Sequence, residues 1–536
     1  MSEMHTRRAV LGAGVALAGS AALAARAAAV PTHGAPRRAP APSPARAADQ
    51  YVTPDGPEVV DAETRRGAGP VRKVSLTATV SRLELGGGLT VPSWAYGDRL
   101  PGEAIRVTAG ETLELALANH LPQATTMHWH GLSLRNDMDG VPALTQQAVK
   151  AGADFTYRFA VSRPGTHWIH PHSGVQLDRG LYAPLIVEDP KEPLGYDKEW
   201  IVVLDDWLDG VDGSTPEAVF DELTRGRGSA HDAGGHGAAR RTADAGGHGA
   251  ARRAGDGDAP SRLLVGASSD LLGGHAGDVA YPHYLVNGRR ASDPSVFEAA
   301  PGDRIRLRVV NAGGDTAFRL ALGGHRMTVT HTDGFPVRHT ETDTLLLAMG
   351  ERYDVLVTAG DGVFPLTALA EGKEASALAV LKTGSGEIPP ATARPTELDG
   401  ELVTADRLAP DEAVALTERT PDRTVRMTLT GSMDAYDWAF DGRPYDPAAR
   451  HPVKAGERVR LVFTNRTSMW HPIHLHGHTF ALAGTALGAR KDTAALLPGR
   501  SLTVDFDADN PGLWMLHCHN VYHAEAGMMT VLGYLR

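Results

Sequence analysis

Gly110-Glu-Thr-Leu-Glu-Leu-Ala-Leu-Ala-Asn119 returns twice in altered form, as Gly302-Asp-Arg-Ile-Arg-Leu-Arg-Val-Val-Asn311 and Gly456-Glu-Arg-Val-Arg-Leu-Val-Phe-Thr-Asn465. Each copy has Gly, an acid, apolar residues at every second place, and Asn at the same offset. Alternation of period two marks half-buried strands. A turn-type Gly precedes each copy at nearly equal distance: Gly97, Gly288 and Gly442. Recurrence at such long intervals, with no long amphipathic helix between the copies, predicts three β-sandwich domains of similar topology in an all-β chain.

Working outward from these strands, the histidines fall into register. His128-Trp-His130 begins nine residues after Asn119, and His474-Leu-His476 nine residues after Asn465. Pro164-Gly165 precedes His170-Pro-His172 by the same step at which Pro511-Gly512 precedes His517-Cys-His519. The matching places after Asn311 are Leu320 and Leu322, which bind no metal, so the middle domain is expected to be a spacer. In a strand the side chains at i and i+2 share a face, so each His-x-His pair offers two imidazoles on one side. Four pairs give eight imidazoles, enough for three metal ions at the seam between the first and third domains.

Cys518, the only cysteine in 536 residues, must then point to the opposite face of its strand. With His471, His523 and Met528 it completes the soft ligand set of a blue copper centre, trigonal His2Cys with a weak axial Met. The flanking His517 and His519 would tie that centre to the three-metal pocket through covalent bonds. Pro171 stands where Cys518 stands in the third domain, so the first domain holds no second blue centre. The remaining histidines, among them His120, His167, His325 and His331, read as surface or core residues, with His478 and Trp129 expected beside the ligands.

Composition adds limits. A net charge of −11, from 53 basic and 64 acidic residues, disfavours nucleic acid and anionic membranes as partners. One cysteine allows no internal disulfide. Thr6-Arg-Arg-Ala-Val-Leu11 and the Ala-rich run to about residue 29 predict a twin-arginine export signal, with delivery to the periplasm, cell envelope or medium and no stable membrane insertion. Residues 30–69 read as a Pro/Ala/Arg-rich tail with no core of its own. Domains are expected over residues 70–192, 198–390 and 395–536, the second carrying a low-complexity His/Gly/Arg insertion over about 209–260. Its His231, His236 and His248 read as parts of a solvated loop.

His128-Trp-His-Gly131, His170-Pro-His172, His471-Pro-Ile-His-Leu-His-Gly-His478 and His517-Cys-His-Asn-Val-Tyr-His-Ala-Glu-Ala-Gly-Met528 resemble the four copper-binding motifs of the multicopper oxidases. The resemblance covers roughly residues 70 to 536. It implies three cupredoxin-like Greek-key domains and four coppers. His471, Cys518, His523 and Met528 would hold type 1 copper, and His128 and His474 type 2. The type 3 pair would take His130, His170 and His519 on one ion and His172, His476 and His517 on the other. Members oxidise donors one electron at a time and reduce dioxygen to water. Asp139 matches the acid that supplies protons near type 2 copper. Many bacterial members carry Glu directly after the last type 1 His, whereas this chain has Ala524 and then Glu525, an acid placed as in some laccases to line the type 1 pocket. The resemblance implies a laccase-like oxidase acting on phenols or aromatic amines; a cuprous oxidase for copper tolerance is the second reading, and a non-catalytic copper carrier the third.

Overall fold

The computed structural model describes residues 50–225, 259–484 and 487–536. The export signal, residues 30–49 of the tail and the insertion's histidines lie outside them. The described chain is almost wholly β, folded as three two-sheet sandwiches. The first pairs two four-stranded sheets, the second a seven- and a six-stranded sheet, and the third a six- and a five-stranded sheet.

Thr112–Asn119, Arg304–Asn311 and Arg458–Asn465 occupy equivalent places. Each lies between a parallel strand from upstream, Val71–Glu84, Lys198–Trp207 or Arg423–Thr430, and an antiparallel one from downstream, Asp154–Ala160, Arg352–Thr358 or Ser501–Asp507. The shared residues of the repeat have identical work. Gly110, Gly302 and Gly456 stand at φ of 95°, 88° and 83°, backbone that a side chain rarely adopts. The following acid accepts a backbone N–H three residues back: Glu111 from Thr108, Asp303 from Ala300, Glu457 from Lys454. The terminal Asn ties off the outgoing loop. Asn119 donates to the carbonyls of Gln123 and Val149, Asn311 to those of Thr316 and Leu347, and Asn465 to those of Met469 and Leu496. In the outer domains that loop leads directly into the His-x-His strands.

Alternation holds in the first and third copies, but Arg304–Asn311 is buried on both faces beyond its first residue. Its outward Arg306 and Arg308 meet Asp354 at 3.0 and 3.2 Å, and Arg308 also donates to Thr166 of the first domain. Its outer face is therefore an interdomain contact.

Two segments depart from expectation. Pro57–Arg66 is a helix, with Pro at its start and Arg65 and Arg66 in its last turn, where cations suit the carbonyl end. Val52 and Val59 join the main core, and Arg66 donates to Asn510 at 2.6 Å. The described end of the predicted tail thus belongs to the folded body. Likewise Pro216–Thr224, inside the predicted insertion, is a helix capped by Thr215, with Val219 and Leu223 buried; the insertion's described portion is structured up to residue 225.

Candidate metal centre

His128–His130 pairs antiparallel with Gly165–His170, setting His128 opposite His170. In the third domain His471–Leu475 pairs with Leu513–Cys518, setting His474 opposite His517 and Ile473 opposite Cys518. The two pairs of strands face each other across the seam. His128 stacks on His476 and His130 on His474, each with ring centres 3.7 Å apart. Asn136 locks the seam, donating to the Leu513 carbonyl at 2.7 Å and accepting from its N–H at 2.8 Å.

Ligand-capable atoms gather within 4.8 Å of one another in several groups: His130, His170 and His519; His172, His476 and His517; His128, His130 and His474; and His471, Cys518 and His523. All twelve predicted ligands except His172 are buried. Cys518 Sγ lies 3.6 Å from Nδ1 of His471 and 3.7 Å from Nδ1 of His523, with the two nitrogens 3.0 Å apart. Cys518 thus belongs to one group while its neighbours His517 and His519 belong to two others. Met528 is wholly buried in the same core as Cys518 and receives the Cys518 N–H on its carbonyl.

The imidazoles are oriented from behind. Nδ1 of His128 meets the Asp139 carbonyl, His170 the Pro171 carbonyl, His474 the Asp492 carbonyl, His517 the Cys518 carbonyl, and His476 the Asp139 carboxylate at 2.9 Å. Anchoring one ring nitrogen fixes the tautomer and aims the other. Several ring nitrogens of the cluster are left over: Nε2 of His128, His172 and His474 and both nitrogens of His519 are buried without a hydrogen bond. Nε2 of His517 faces Nε2 of His476 at 3.1 Å. Burial, and then neighbouring imidazoles, hold His170, His172, His476, His517 and His519 well below the ordinary histidine pKa. Neutral nitrogens converging without protons between them suit divalent or monovalent copper.

The middle domain is more than a spacer. Its Asp278 reaches Nε2 of His523 at 2.8 Å and takes a hydrogen bond from Tyr436 at the same distance. Burial alone would lower the His523 pKa, but the Asp278 carboxylate outweighs it and lifts the imidazole to about 10. Arg352 grips both oxygens of Asp492 at 2.7 Å, and Asp492 in turn meets Nε2 of His130 at 3.0 Å. Gly131 makes room for this clamp: a Cβ there, at φ +89°, would collide with Arg352, His167 and Asp492. Leu320 and Leu322 are buried in the apolar core, as the absence of imidazoles there requires.

His478 lies behind the cluster, bonded to the His476 carbonyl and, at 2.6 Å, to Tyr534. Trp129, expected beside the ligands, points away from them into the core against Tyr157 and Phe159, because it alternates with His128 and His130. Glu525 is exposed at the edge of a cavity of about 110 Å³ that also touches His170, His172, His517, His519 and Cys518. Through Cys518 that cavity reaches one member of the type 1 ligand set, while His471 and His523 are not part of its lining.

A Cys–His–His triangle coupled through one strand to eight imidazoles at a sandwich seam is a donor set suited to copper. Family models described as multicopper oxidase match residues 77–192, 267–385 and 418–534, and the chain belongs to the multicopper oxidase family. It is 46% identical over 473 residues to the multicopper oxidase MmcO of Mycobacterium tuberculosis, covering 88% of each chain. A copper resistance protein A homolog of Pseudomonas syringae pv. tomato is 28% identical, with 80% of this chain and 87% of that one covered. The crystal structure of a multi-copper oxidase from Pseudomonas thermotolerans superimposes with a TM-score of 0.61 at 26% identity, covering 87% and 99%. The protein is thus a copper-dependent oxidase with oxygen as its acceptor.

Proposed function

We propose that the protein is a laccase-like oxidase that takes single electrons from phenols or arylamines at one blue copper and delivers them to dioxygen at a cluster of three. The observation that carries this reading is the Cys518–His471–His523 triangle in a strand whose adjacent imidazoles belong to the cluster. In it His471, Cys518, His523 and Met528 hold the type 1 ion, and His128 and His474 the type 2 ion. His130, His170 and His519 hold one type 3 ion, and His172, His476 and His517 the other. Bound copper supplies one-electron redox chemistry and the site of dioxygen reduction.

The protein's own residues orient and exclude. Asp492 and Asp139 fix the outward nitrogens of four ligands, while the buried seam keeps bulk water from the imidazoles. Asp139, in contact with His128 and His476, holds and passes protons toward the cluster. Glu525, at the edge of the cavity that touches Cys518, His172, His517 and His519, is the acid beside the type 1 ligand set. Export by the twin-arginine route, read from Arg7 and Arg8, completes the proposal and places the enzyme outside the cytoplasm.

A cuprous oxidase is the second reading, favoured by likeness to a copper resistance protein. No helix among the described residues is long and apolar enough to cross a membrane. The deciding experiment is oxygen consumption by copper-loaded protein with a panel of donors that includes Cu(I) and 2,6-dimethoxyphenol. Direct phenol turnover without added copper supports the first reading; turnover of Cu(I) alone supports the second, and copper binding with no oxygen uptake overturns both.

A further inference from the structure

Residues 50–66 run across the seam between the first and third domains. The segment starts on the third, where the Val52 N–H donates to the Tyr534 carbonyl at 2.8 Å. Its helix ends on the first, where Glu63 accepts the Ala160 N–H at 2.6 Å. Glu63 also holds Arg66 at 3.2 Å, and Arg66 reaches back to the third domain to donate to Oδ1 of Asn510 at 2.6 Å. This strap is thus fastened to both domains that supply the eight imidazoles.

Asn510 is where the strap meets the cluster. It is buried, and with Oδ1 held by Arg66 its NH2 group turns to the loops that leave two ligands. It donates to the Leu134 carbonyl at 3.1 Å, four residues beyond His130, and to the Gly477 carbonyl at 2.9 Å, one beyond His476. His130 and His476 come from opposite domains and, in the proposed assignment, hold different type 3 ions. The contact has no slack. Gly477 stands at φ +64° with Trp514 so close that a Cβ would collide, and the Trp514 N–H donates to the Asn510 carbonyl at 2.7 Å. A second line from the strap runs through Tyr534, whose hydroxyl donates to His478 at 2.6 Å while His478 donates to the His476 carbonyl. None of these bonds involves His471, Cys518, His523 or Met528.

We propose that Asn510 and Arg66 are positioning residues for dioxygen reduction. Arg66, held by the strap, fixes the Asn510 amide so that its NH2 faces the two carbonyls; turned over, the amide would set its oxygen against theirs. The amide then keeps the His130 and His476 loops in register across the seam. Ligands shared between two domains depend on how those domains dock, whereas the Cys518–His471–His523 triangle lies within one. Groups that orient a ligand without touching the metal change affinity or activity by about 10–100-fold. The inference rests on the cluster assignment above.

The test separates the cluster from the blue centre. Copper-loaded full chain carrying Arg66→Met, which keeps the aliphatic stem, should show the parent's blue band and the parent's rate of bleaching by hexacyanoferrate(II) without oxygen. Its reoxidation by dioxygen should slow about tenfold, and its type 2 electron paramagnetic resonance signal should change. Asn510→Ala should act in the same sense and more strongly, and Arg66→Lys, which keeps a donor for Asn510, should recover most of the reoxidation rate. In the metal-free chain, Arg66→Met should quicken hydrogen exchange over residues 131–136 and 477–479 but not over 518–528. Parent-like reoxidation, signal and exchange in Arg66→Met overturn the proposal. Equal loss of blue band and reoxidation also overturns it, since the strap would then be a general stabiliser. If Asn510→Ala fails to fold, Arg66→Met decides alone. A parent chain that binds a single copper or consumes no oxygen with any donor sinks the cluster reading; a fully loaded parent whose variants match it sinks this inference only.

Discussion

Asp278 of the middle domain and His523 of the third, 245 residues apart in sequence, meet at 2.8 Å. On the proposed type 1 assignment, the contact makes the middle domain part of the redox centre. A carboxylate on the far nitrogen of a ligand imidazole raises its basicity and favours the higher oxidation state of the metal.

Asp278→Asn should therefore raise the type 1 potential while keeping the blue colour, and should lower copper affinity at this site by about 10–100-fold. Spectroelectrochemical titration checks the first effect and chelator competition the second. An unchanged potential would show that the carboxylate is only a packing element.

Cys518→Ser should abolish the blue band and donor oxidation while the fold persists, since a hydroxyl replaces the thiolate with almost no change in volume. Metal analysis should find one copper fewer per chain. Retention of the blue band contradicts the assignment.

Asp139→Asn should slow reoxidation by dioxygen more than reduction by donor, because the amide still contacts His476 but carries no transferable proton. Stopped-flow bleaching and recovery separate the two rates. Equal slowing of both would point to a damaged ligand geometry instead.

Arg352→Met leaves Asp492 buried and uncompensated beside His130. Breaking a buried pair of this kind costs about 3–5 kcal/mol. Denaturant unfolding of the metal-free protein should register that loss, and a change below about 1 kcal/mol would mean water reaches Asp492.

Burial, only partly offset by Asp354, depresses His331 to about 4, and burial depresses His167 to about 3. Both are protonated in the unfolded chain below about pH 6.5, so the unfolded state binds more protons between that value and the folded one. Stability is then whole above about pH 6.5 and falls as pH drops, by up to about 1.4 kcal/mol per pH unit for each group. His331→Gln should flatten the acid limb of the Tm profile; an identical slope would assign the loss to other groups.

Much of the site was readable because its signals are local. The His-x-His pairs, Cys518 and His523 stand at fixed offsets within single strands and one short helix, and alternation decides which face each side chain takes. Asp278, Arg352 and Asp492 were invisible for the opposite reason: nothing near them in sequence marks Asp278 as the partner of His523, 245 residues away, Asp492 as that of His130, 362 away, or Arg352 as that of Asp492, 140 away. The helix Pro57–Arg66 did carry start and stop signals. They were obscured by the Pro- and Ala-rich composition around them, which says nothing of what Val52 and Val59 could pack against. Trp129 was misplaced by its neighbours' importance, although the period that aims His128 and His130 inward sends it the other way.

The Gly–acid–Asn turn is built alike in all three sandwiches, yet only two of them continue it into imidazoles. Hardware that sets the exit direction of a strand thus works without any chemistry planted on it, and in the middle domain it presents Leu320 and Leu322 to a hydrocarbon interior. Framework and ligands are written in separate residues of the same ten-residue phrase and its continuation. A designer could rewrite the second without disturbing the first.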